Sequence, residues 1–202
     1  MPSRQGIKTA PRKREAGPPG GGERLPPRYL MSCFEWAEAL TAAAVLIVLI
    51  FTFVVQVVAV DGSSMRPSLE SGDRVLVSGL FYQPQPGDIV VLRRAAGTRD
   101  PLVKRVIAVA GQEVDIDGGT VWVDGAPLDE SAYTENGTTF LPLGGVPVEF
   151  PQVVPEGHVF VLGDNREISK DSRVAEVGMV DERYVIGRAV AVVFPFNRIK
   201  GL

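Results

Sequence analysis

The feature that most constrains this chain is an uncharged stretch over residues 40–60, in which only Thr41, Thr52 and Gln56 interrupt an apolar run. As an α-helix with a rise of about 1.5 Å per residue, such a stretch spans roughly 30 Å, the thickness of the hydrocarbon core of a bilayer. No polar face recurs at helical spacing, which argues against a helix buried in a soluble core. The sequence therefore predicts one transmembrane anchor over residues 35–60.

The residues before the anchor are basic, which predicts how the chain crosses the membrane. Residues 1–30 contain seven Lys or Arg against Glu15 and Glu23, and because the whole chain carries −3, the remainder carries −8. Cationic flanks stay on the cytoplasmic side. We therefore expect residues 1–34 to form a cytoplasmic tail and residues 61–202 to lie outside the plasma (cytoplasmic) membrane.

Two rival interpretations concern the same region. Nucleic-acid binding by the tail is one, but six prolines and five glycines in residues 1–30 are typical of a disordered flank, so no nucleic-acid partner is expected. A cleaved secretory signal is the other, since Val57 and Ala59 fit a small-residue cleavage pattern. The apolar core of a signal runs about 7 to 15 residues, whereas this one runs 21. The sequence favours an uncleaved single-pass anchor.

Cysteine and histidine are scarce, which excludes whole classes of chemistry. Cys33 is the only cysteine and His158 the only histidine. No intramolecular disulfide and no cysteine-based metal cage can form, and a Ser/His/Asp triad would depend on one imidazole. We expect no metal and no cofactor, and a structural role for His158.

The residues after Val60 form short apolar runs bounded by Gly, Pro and Asp, and they are enough for one domain. Val- and Ile-rich runs, several of them alternating, predict strands over 74–78, 88–94, 103–110, 113–117, 120–124, 158–163 and 184–194. No long run is amphipathic with helical period. The predicted class is mainly β, an antiparallel sandwich or barrel.

Two loops of this domain are distinctive. Asp117-Gly118-Gly119 predicts a tight hairpin, because glycine accepts the positive φ that a two-residue turn demands. We expect Val121 and Val123 on one face of the strand that follows. Residues 126–157 are predicted to form a long excursion between strands.

Serines in a turn immediately after the anchor are the first candidates for chemistry. The sequence V-D-G-S-S-M-R-P-S-L, residues 60–69, places Ser63 and Ser64 between Gly62 and Pro67. Most serine-rich turns are only turns, and a nucleophilic serine needs a base. With histidine nearly absent, a lysine is the remaining candidate, provided that burial lowers its pKa from about 10.4.

Lys104 and a polar cluster are the other candidates. Lys104 lies in the apolar sequence P-L-V-K-R-V-I-A-V-A-G, with Arg105 expected on the opposite face of that strand. Periodicity alone favours a solvated lysine at a strand edge. The cluster G-D-N-R-E-I-S-K-D-S-R, residues 163–173, fits either a solvated loop or a hydrogen-bonded shell that orients a site.

Four motifs follow the anchor in order: S-M-R-P-S-L, G-D-I-V-V, K-R-V-I-A-V-A-G and G-D-N-R-x-x-S-x-D-S-R. In these motifs the chain resembles the type I signal peptidases, membrane serine proteases with a Ser/Lys dyad. The resemblance implies an endopeptidase that removes N-terminal signal peptides from secreted preproteins, cleaving after small residues at the −3 and −1 positions. It implies signal peptides, the lipid bilayer and a secretion translocon as partners.

The resemblance also implies a role for individual residues. Ser64 matches the nucleophile and Lys104 the general base. Ser169 matches a hydroxyl that orients the lysine amine. Asp171 and Arg173 match a structural pair that supports the site.

The turn around the serine departs from some members of that family. Where they carry an oxyanion-binding serine, this chain has Gly62, so the oxyanion hole would rest on the Ser64 N–H with help from the Gly62 region. We expect Met65, Leu69 and Val103 to line small apolar pockets that select alanine by rejecting bulk.

Three alternatives stay open. A Ser/Lys processing peptidase with a narrow client, of the pilus or conjugation type, shares the dyad. A self-cleaving repressor of the SOS type also uses Ser-Met and Lys on a β scaffold, but it has a helix-turn-helix and no anchor. The non-enzyme alternative is a β domain displayed on a membrane.

In the motif that carries the resemblance, Ser63 matches only the variable residue before the nucleophile.

Overall fold

A computed structural model describes residues 28–53, 55–93, 101–141 and 144–202. Most of the predicted cytoplasmic tail and the end of the predicted strand at Arg94 lie outside the described residues. The chain divides into two compact units, residues 1–43 and 44–202.

Helix α1, Arg28–Phe53, is 26 residues long, which corresponds to about 39 Å. Its segment Ser32–Leu49 is long and apolar enough to cross a membrane, and the side chains of this segment are exposed in the protein. Thr41 Oγ1 donates a hydrogen bond to Ala37 O at 2.8 Å. The helix therefore satisfies this hydroxyl internally, as an apolar solvent requires, and is a candidate membrane span.

The helix ends earlier than the predicted anchor over residues 35–60. Residues Val55–Ala59 form strand β1, which pairs along its whole length with strand β2, Arg74–Ser78. Three of the five residues of β1 are valine, whose branched side chain favours the extended backbone. The predicted anchor is therefore wrong at its C-terminal end.

Ten further strands follow β2 in the described residues: β3 Ile89–Leu92, β4 Leu102–Val109, β5 Glu113–Asp117, β6 Thr120–Val123, β7 Ala126–Pro127, β8 Gln152–Val153, β9 His158–Leu162, β10 Val180–Asp181, β11 Val185–Phe194 and β12 Lys200–Gly201. Each of the seven predicted strands is present. The four two-residue strands β7, β8, β10 and β12 were not predicted, because so short a run carries no periodicity. Within the predicted excursion over residues 126–157, the described residues form only the short strands β7 and β8 and an isolated bridge from Pro147 to Val174.

The strands form two antiparallel sheets. The larger has the order β1-β2-β11-β3-β4-β9-β10, with β12 paired to β11, and the smaller has the order β7-β6-β5-β8. Gly118 and Gly119, with φ of 57° and 85°, make the predicted turn between β5 and β6. The predicted mainly β, antiparallel class is confirmed.

The larger sheet is apolar on both faces, and this positions the site. Ile89 and Val91 of β3 pack into one buried cluster, whereas Val90 and Leu92 pack into another. A third cluster is shared by β4, β5, β6 and β9, so it joins the two sheets, and Val121 and Val123 both pack there as expected. Strand β4, which carries Lys104, therefore lies in the middle of a sheet that is buried on both sides.

Candidate active site

The turn between β1 and β2 carries Ser64, and burial of its neighbours holds it in place. Met65 and Leu69 are 1% and 0% exposed and pack into the same core cluster as Val103 of β4. Leu69 N donates to Met65 O at 2.8 Å, which closes the turn. The backbone of Ser64 is thus fixed by two side chains that cannot leave without opening a cavity.

This packing changes part of the predicted pocket. Met65 and Leu69 are core residues in the structure, because almost none of their surface is accessible. Val103 lies in the same cluster and is 7% exposed. The lining of a substrate pocket by Val103 stays a prediction.

Lys104 reaches Ser64 from β4. Its Nζ donates a hydrogen bond to Ser64 Oγ at 2.8 Å. Strand β4 lies between β3 and β9, and Lys104 is paired with Val90 of β3. Only 3% of Lys104 is exposed, so the solvated edge lysine that periodicity favoured is not what the fold forms.

Burial lowers the pKa of Lys104 to about 8. The carboxylate of Asp171 acts in the opposite direction, the guanidinium of Arg173 lowers the pKa further, and Asp164 raises it. With a pKa of about 8, roughly one tenth of the amine is neutral at pH 7, against about one part in a few thousand for a solvated lysine. A neutral amine at this distance can accept the proton of the serine hydroxyl.

Gly163, directly after β9, approaches the backbone of Ser64 so closely that only glycine fits. A Cβ at this position would lie 2.5 Å from Ser64 O and closer still to Ser169 Oγ. The Gly163 N–H donates to Asp171 Oδ2 at 3.0 Å, and Asn165 N donates to Ser64 O at 3.0 Å. The loop after β9 therefore fixes the Ser64 carbonyl by the close packing of Gly163 and the hydrogen bond from Asn165.

The structure brings Asp171 and Arg173 together as a fully buried pair. Arg173 Nε and Nη2 donate to the two oxygens of Asp171 at 2.8 and 2.9 Å. The remaining Nη1 donates to Phe140 O at 2.7 Å. Because each charged group is fully hydrogen-bonded, the pair can stay buried and can hold the loop that surrounds Lys104.

Ser169 is buried near the other site residues. Its N–H donates to Asn165 O at 3.1 Å, but its hydroxyl has no hydrogen-bond partner among the described residues. The expected hydrogen bond to Lys104 is therefore not formed in this structure. Orientation of the amine by Ser169 stays a prediction.

Gly62 and Ser64 define what the turn offers to an oxyanion. Gly62 has a φ of 86°, a conformation that favours glycine, and its N–H donates to Ser71 Oγ at 3.3 Å. In the part of the chain that the structure describes, the Ser64 N–H has no protein acceptor. The Ser64 N–H is the donor left available, whereas Gly62 shapes the turn and its own N–H is engaged.

The ion pair between Arg105 and Asp164 was not predicted from the sequence. Arg105 Nε and Nη2 donate to the two carboxylate oxygens at 2.8 and 2.7 Å, and Nη1 donates to Gly87 O at 2.7 Å. This pair ties the residue after Lys104 to the loop after β9. The signal was present, since a second cation in an apolar strand needs a buried acid as partner.

His158 lies apart from this chemistry. Its Nδ1 is hydrogen-bonded to Glu156 O at 2.9 Å, and on strand β9 it is paired with Asp181 of β10. Among the described residues, no group of three or more His, Cys, Asp or Glu is placed to hold a metal ion. Lys104, and not His158, contacts the Ser64 hydroxyl.

The sequence matches the family described as signal peptidase, peptidase S26, over residues 33–194. It is 36% identical over 177 residues to signal peptidase I of Bacillus licheniformis, covering 84% of this chain and 92% of the relative. It is 34% identical over 179 residues to signal peptidase IB of Staphylococcus aureus (strain Mu50), covering 82% of this chain and 92% of that relative. A crystal structure of a signal peptidase I from Enterococcus faecalis V583 superposes with a TM-score of 0.40 and 29% identity, over 53% of this chain and 97% of that chain.

A serine hydroxyl hydrogen-bonded to a buried amine, on an antiparallel β scaffold, is the arrangement of a serine hydrolase. The chain belongs to the signal peptidase family, peptidase S26. It is a serine peptidase.

Replacement of Gly163 by alanine tests the close approach of the loop to Ser64. Gly163→Ala should lower the rate of peptide cleavage by roughly 100-fold, because an added Cβ displaces the serine carbonyl and with it the reacting hydroxyl. The matched control is Gly201→Ala in β12, where a Cβ would meet nothing within 4 Å. Cleavage assays and thermal unfolding of both variants give the comparison. A folded Gly163→Ala protein with the wild-type rate would contradict this account.

Proposed function

We propose that this chain is a membrane-anchored endopeptidase that removes N-terminal signal peptides from secreted preproteins, with Ser64 as nucleophile and Lys104 as general base. The observation that carries the proposal is the 2.8 Å hydrogen bond between Lys104 Nζ and Ser64 Oγ, made by a lysine that is buried. Membership of the family supports the reaction, and the names of the relatives, signal peptidase I and IB, support the substrate class.

The first chemical step follows from the protonation state of Lys104. In its neutral form the amine has a lone pair, so the Ser64 hydroxyl can donate to Nζ along the same contact. As Ser64 Oγ attacks the scissile carbonyl, its proton passes to the amine, which becomes a lysinium. The nearby carboxylate of Asp171, which raises the pKa of Lys104, favours this charged form.

The same step needs a donor for the negative charge that develops on the carbonyl oxygen as the serine attacks. The Ser64 N–H is available for this, and one well-placed donor contributes about 2.7 to 4 kcal/mol to the transition state. The lysinium then protonates the leaving amine, and the same lysine takes a proton from the water that attacks the acyl-enzyme. It returns this proton to Ser64 Oγ as the acyl group leaves, so one residue serves as base and acid in both halves of the reaction.

Selection of small residues at the −3 and −1 positions is supported by the packing around the serine. Met65 and Leu69 do not line a pocket, but they fill the core behind the turn of Ser64, so a bulky substrate side chain that pressed into this turn would have to displace well-packed side chains. Overpacking of this kind costs about 1 to 3 kcal/mol. Alanine avoids this cost, since it adds a single methyl group.

The topology that we propose places the N-terminal tail in the cytoplasm and the β domain outside the plasma membrane. Support comes from the candidate span Ser32–Leu49 and from the surplus of positive charge before it. The bilayer and a secretion translocon are the partners that this topology implies, since a preprotein reaches the outer face of the membrane through a translocon.

The proposed function is tested by incubating the purified protein with a preprotein that has Ala at −3 and −1, followed by mass analysis of the products. Cleavage should occur at the end of the signal peptide. Ser64→Ala, Lys104→Ala and the double variant should each lose at least about 1,000-fold, because nucleophile and base act as one unit. Ser63→Ala is the matched control and should retain most activity.

Two outcomes would count against this assignment. Full activity of Lys104→Ala would exclude the lysine as base. Equal losses in Ser63→Ala and Ser64→Ala would put the position of the nucleophile in doubt. Cleavage of a pilin precursor but of no generic preprotein would favour the narrow-client alternative.

The pH profile is a separate prediction from the lysine. Because activity requires the neutral amine, kcat/KM on a soluble peptide should rise with pH along a limb with an apparent pKa of about 8 and level off above it. His158→Gln should leave this limb unchanged. A limb near the ordinary histidine pKa of about 6.5 that disappears in His158→Gln would instead identify histidine as the base.

The topology is tested with intact spheroplasts. Protease added from outside should digest residues after Val60 and spare an epitope in the tail, because the positive surplus retains the tail in the cytoplasm. Detergent-permeabilised spheroplasts, in which both sides are accessible, are the control. A β domain that is protected in intact spheroplasts would reverse the orientation.

A further inference from the structure

We propose that Glu130 is a positioning residue for the active site, acting through Arg166 and Gly163 on the backbone of Ser64. Glu130 lies in the irregular chain between β7 and β8, and it has no contact with Ser64 or Lys104 among the described residues. Its carboxylate is nevertheless almost completely buried. A buried carboxylate is costly unless partners compensate it fully.

Glu130 forms a closed ring of contacts with Arg166 and Thr139. Arg166 Nη2 forms an ion pair with Glu130 Oε1 at 2.6 Å, in a geometry that is not that of a hydrogen bond, and Thr139 Oγ1 donates to Glu130 Oε2 at 3.1 Å. Arg166 Nη1 donates to the same Thr139 hydroxyl. Thr139 is fully buried, and its N–H donates to Gly119 O at 2.7 Å, which fastens the ring to the turn between β5 and β6.

The Nε donor of Arg166 contacts the loop after β9, which fixes the Ser64 carbonyl. Arg166 Nε donates to Gly163 O at 2.8 Å, while the Gly163 N–H is held by Asp171. With both polar groups of its backbone held by charged side chains, Gly163 packs against Ser64 O without room for a Cβ. A shift of the Arg166 guanidinium would therefore move Gly163 and, with it, the Ser64 carbonyl. The distance between the Ser64 hydroxyl and the Lys104 amine would change as a result.

The segment that carries Glu130 also braces the strand of the lysine. The guanidinium of Arg105 lies 4.1 Å from the centre of the Tyr133 ring, and that of Arg166 lies 5.9 Å from it. Burial raises the pKa of Tyr133 to about 12, so its phenol stays neutral. Arg105 is the neighbour of Lys104 on β4. Residues 130–139 thus contact both the loop after β9 and the strand that presents the base.

Stability alone is a poor reason for this arrangement. Replacement of a buried ion pair by apolar side chains of similar volume is often neutral or stabilising. The site nevertheless has three buried or nearly buried pairs: Arg105–Asp164, Arg166–Glu130 and Arg173–Asp171. What a charged pair adds is direction, because a guanidinium held by a carboxylate points its other N–H at one place. Here that place is the Gly163 carbonyl.

The test uses the purified full-length protein in detergent and a fluorogenic peptide with Ala at −3 and −1, and it rests on the proposed function. Glu130→Gln and Thr139→Val keep the side-chain volume but break the ring. Each should lower kcat by about 10- to 100-fold with KM changed by less than about threefold. Thr139→Ser keeps the hydroxyl, and Glu135→Gln changes an exposed acid of the same segment; both should stay within about threefold of wild type in kcat. Rates are compared at a temperature at which thermal unfolding shows every variant to be folded.

Several outcomes would overturn the inference. They are a folded Thr139→Val with wild-type kcat, a Thr139→Ser as slow as Thr139→Val, and a loss confined to KM. The rising limb of the pH profile should stay near pH 8 in Glu130→Gln, because Glu130 acts on the position of Ser64. A displaced limb would mean that Glu130 acts on the charge of Lys104 instead. If Glu130→Gln does not fold, the pair of Thr139 variants decides. Absence of cleavage by the wild type would instead overturn the proposed function, and this inference with it.

Discussion

The proposed mechanism requires an amine that can lose its proton within reach of a serine hydroxyl, and the rest of this structure depends on that requirement. Lys104 meets it by lying on a central strand whose sheet is apolar on both faces, so that water is kept from the amine and its pKa falls to about 8. Removal of water has a cost for every other polar group nearby. The fold offsets that cost by pairing each buried or nearly buried guanidinium near the amine with an acid: Arg105 with Asp164, Arg166 with Glu130 and Arg173 with Asp171.

Two mechanically different supports meet at Ser64. On one side the apolar side chains of Met65 and Leu69 hold the turn in the core. On the other, polar contacts of Gly163 and Asn165 hold its carbonyl. Apolar packing restrains the turn without regard to direction, whereas hydrogen bonds restrain the angle of the peptide. Together they can hold a nucleophile with the precision that attack on a carbonyl demands.

Most of the strands and one hairpin could be predicted from the sequence, because the residue patterns that indicate them are local. Alternating valines predicted the strands, and Asp117-Gly118-Gly119 predicted the hairpin. The end of the anchor was predicted wrongly, since the valines of residues 55–59 suit a lipid-facing helix as well as a strand, and only pairing with β2 decides between them. Glu130 carried no local signal at all: its partner, Arg166, is distant in sequence, and an acid in an irregular segment resembles any solvated acid.

Strand β1 has a consequence for the lifetime of the protein itself. Val57 and Ala59 fit the small-residue pattern that precedes a processing site, and the bond after Ala59 would be the bond that is cleaved. All five residues of β1 are in register with β2, and the N–H of Val60 is bonded to Asp73 O at 2.8 Å. A peptidase takes up its substrate as an extended segment that has no strand partner, whereas this segment is already paired with β2 along one side. Val57 and Ala59 are exposed, so it is the pairing with β2, and not burial, that protects this processing-like sequence beside the turn of Ser64.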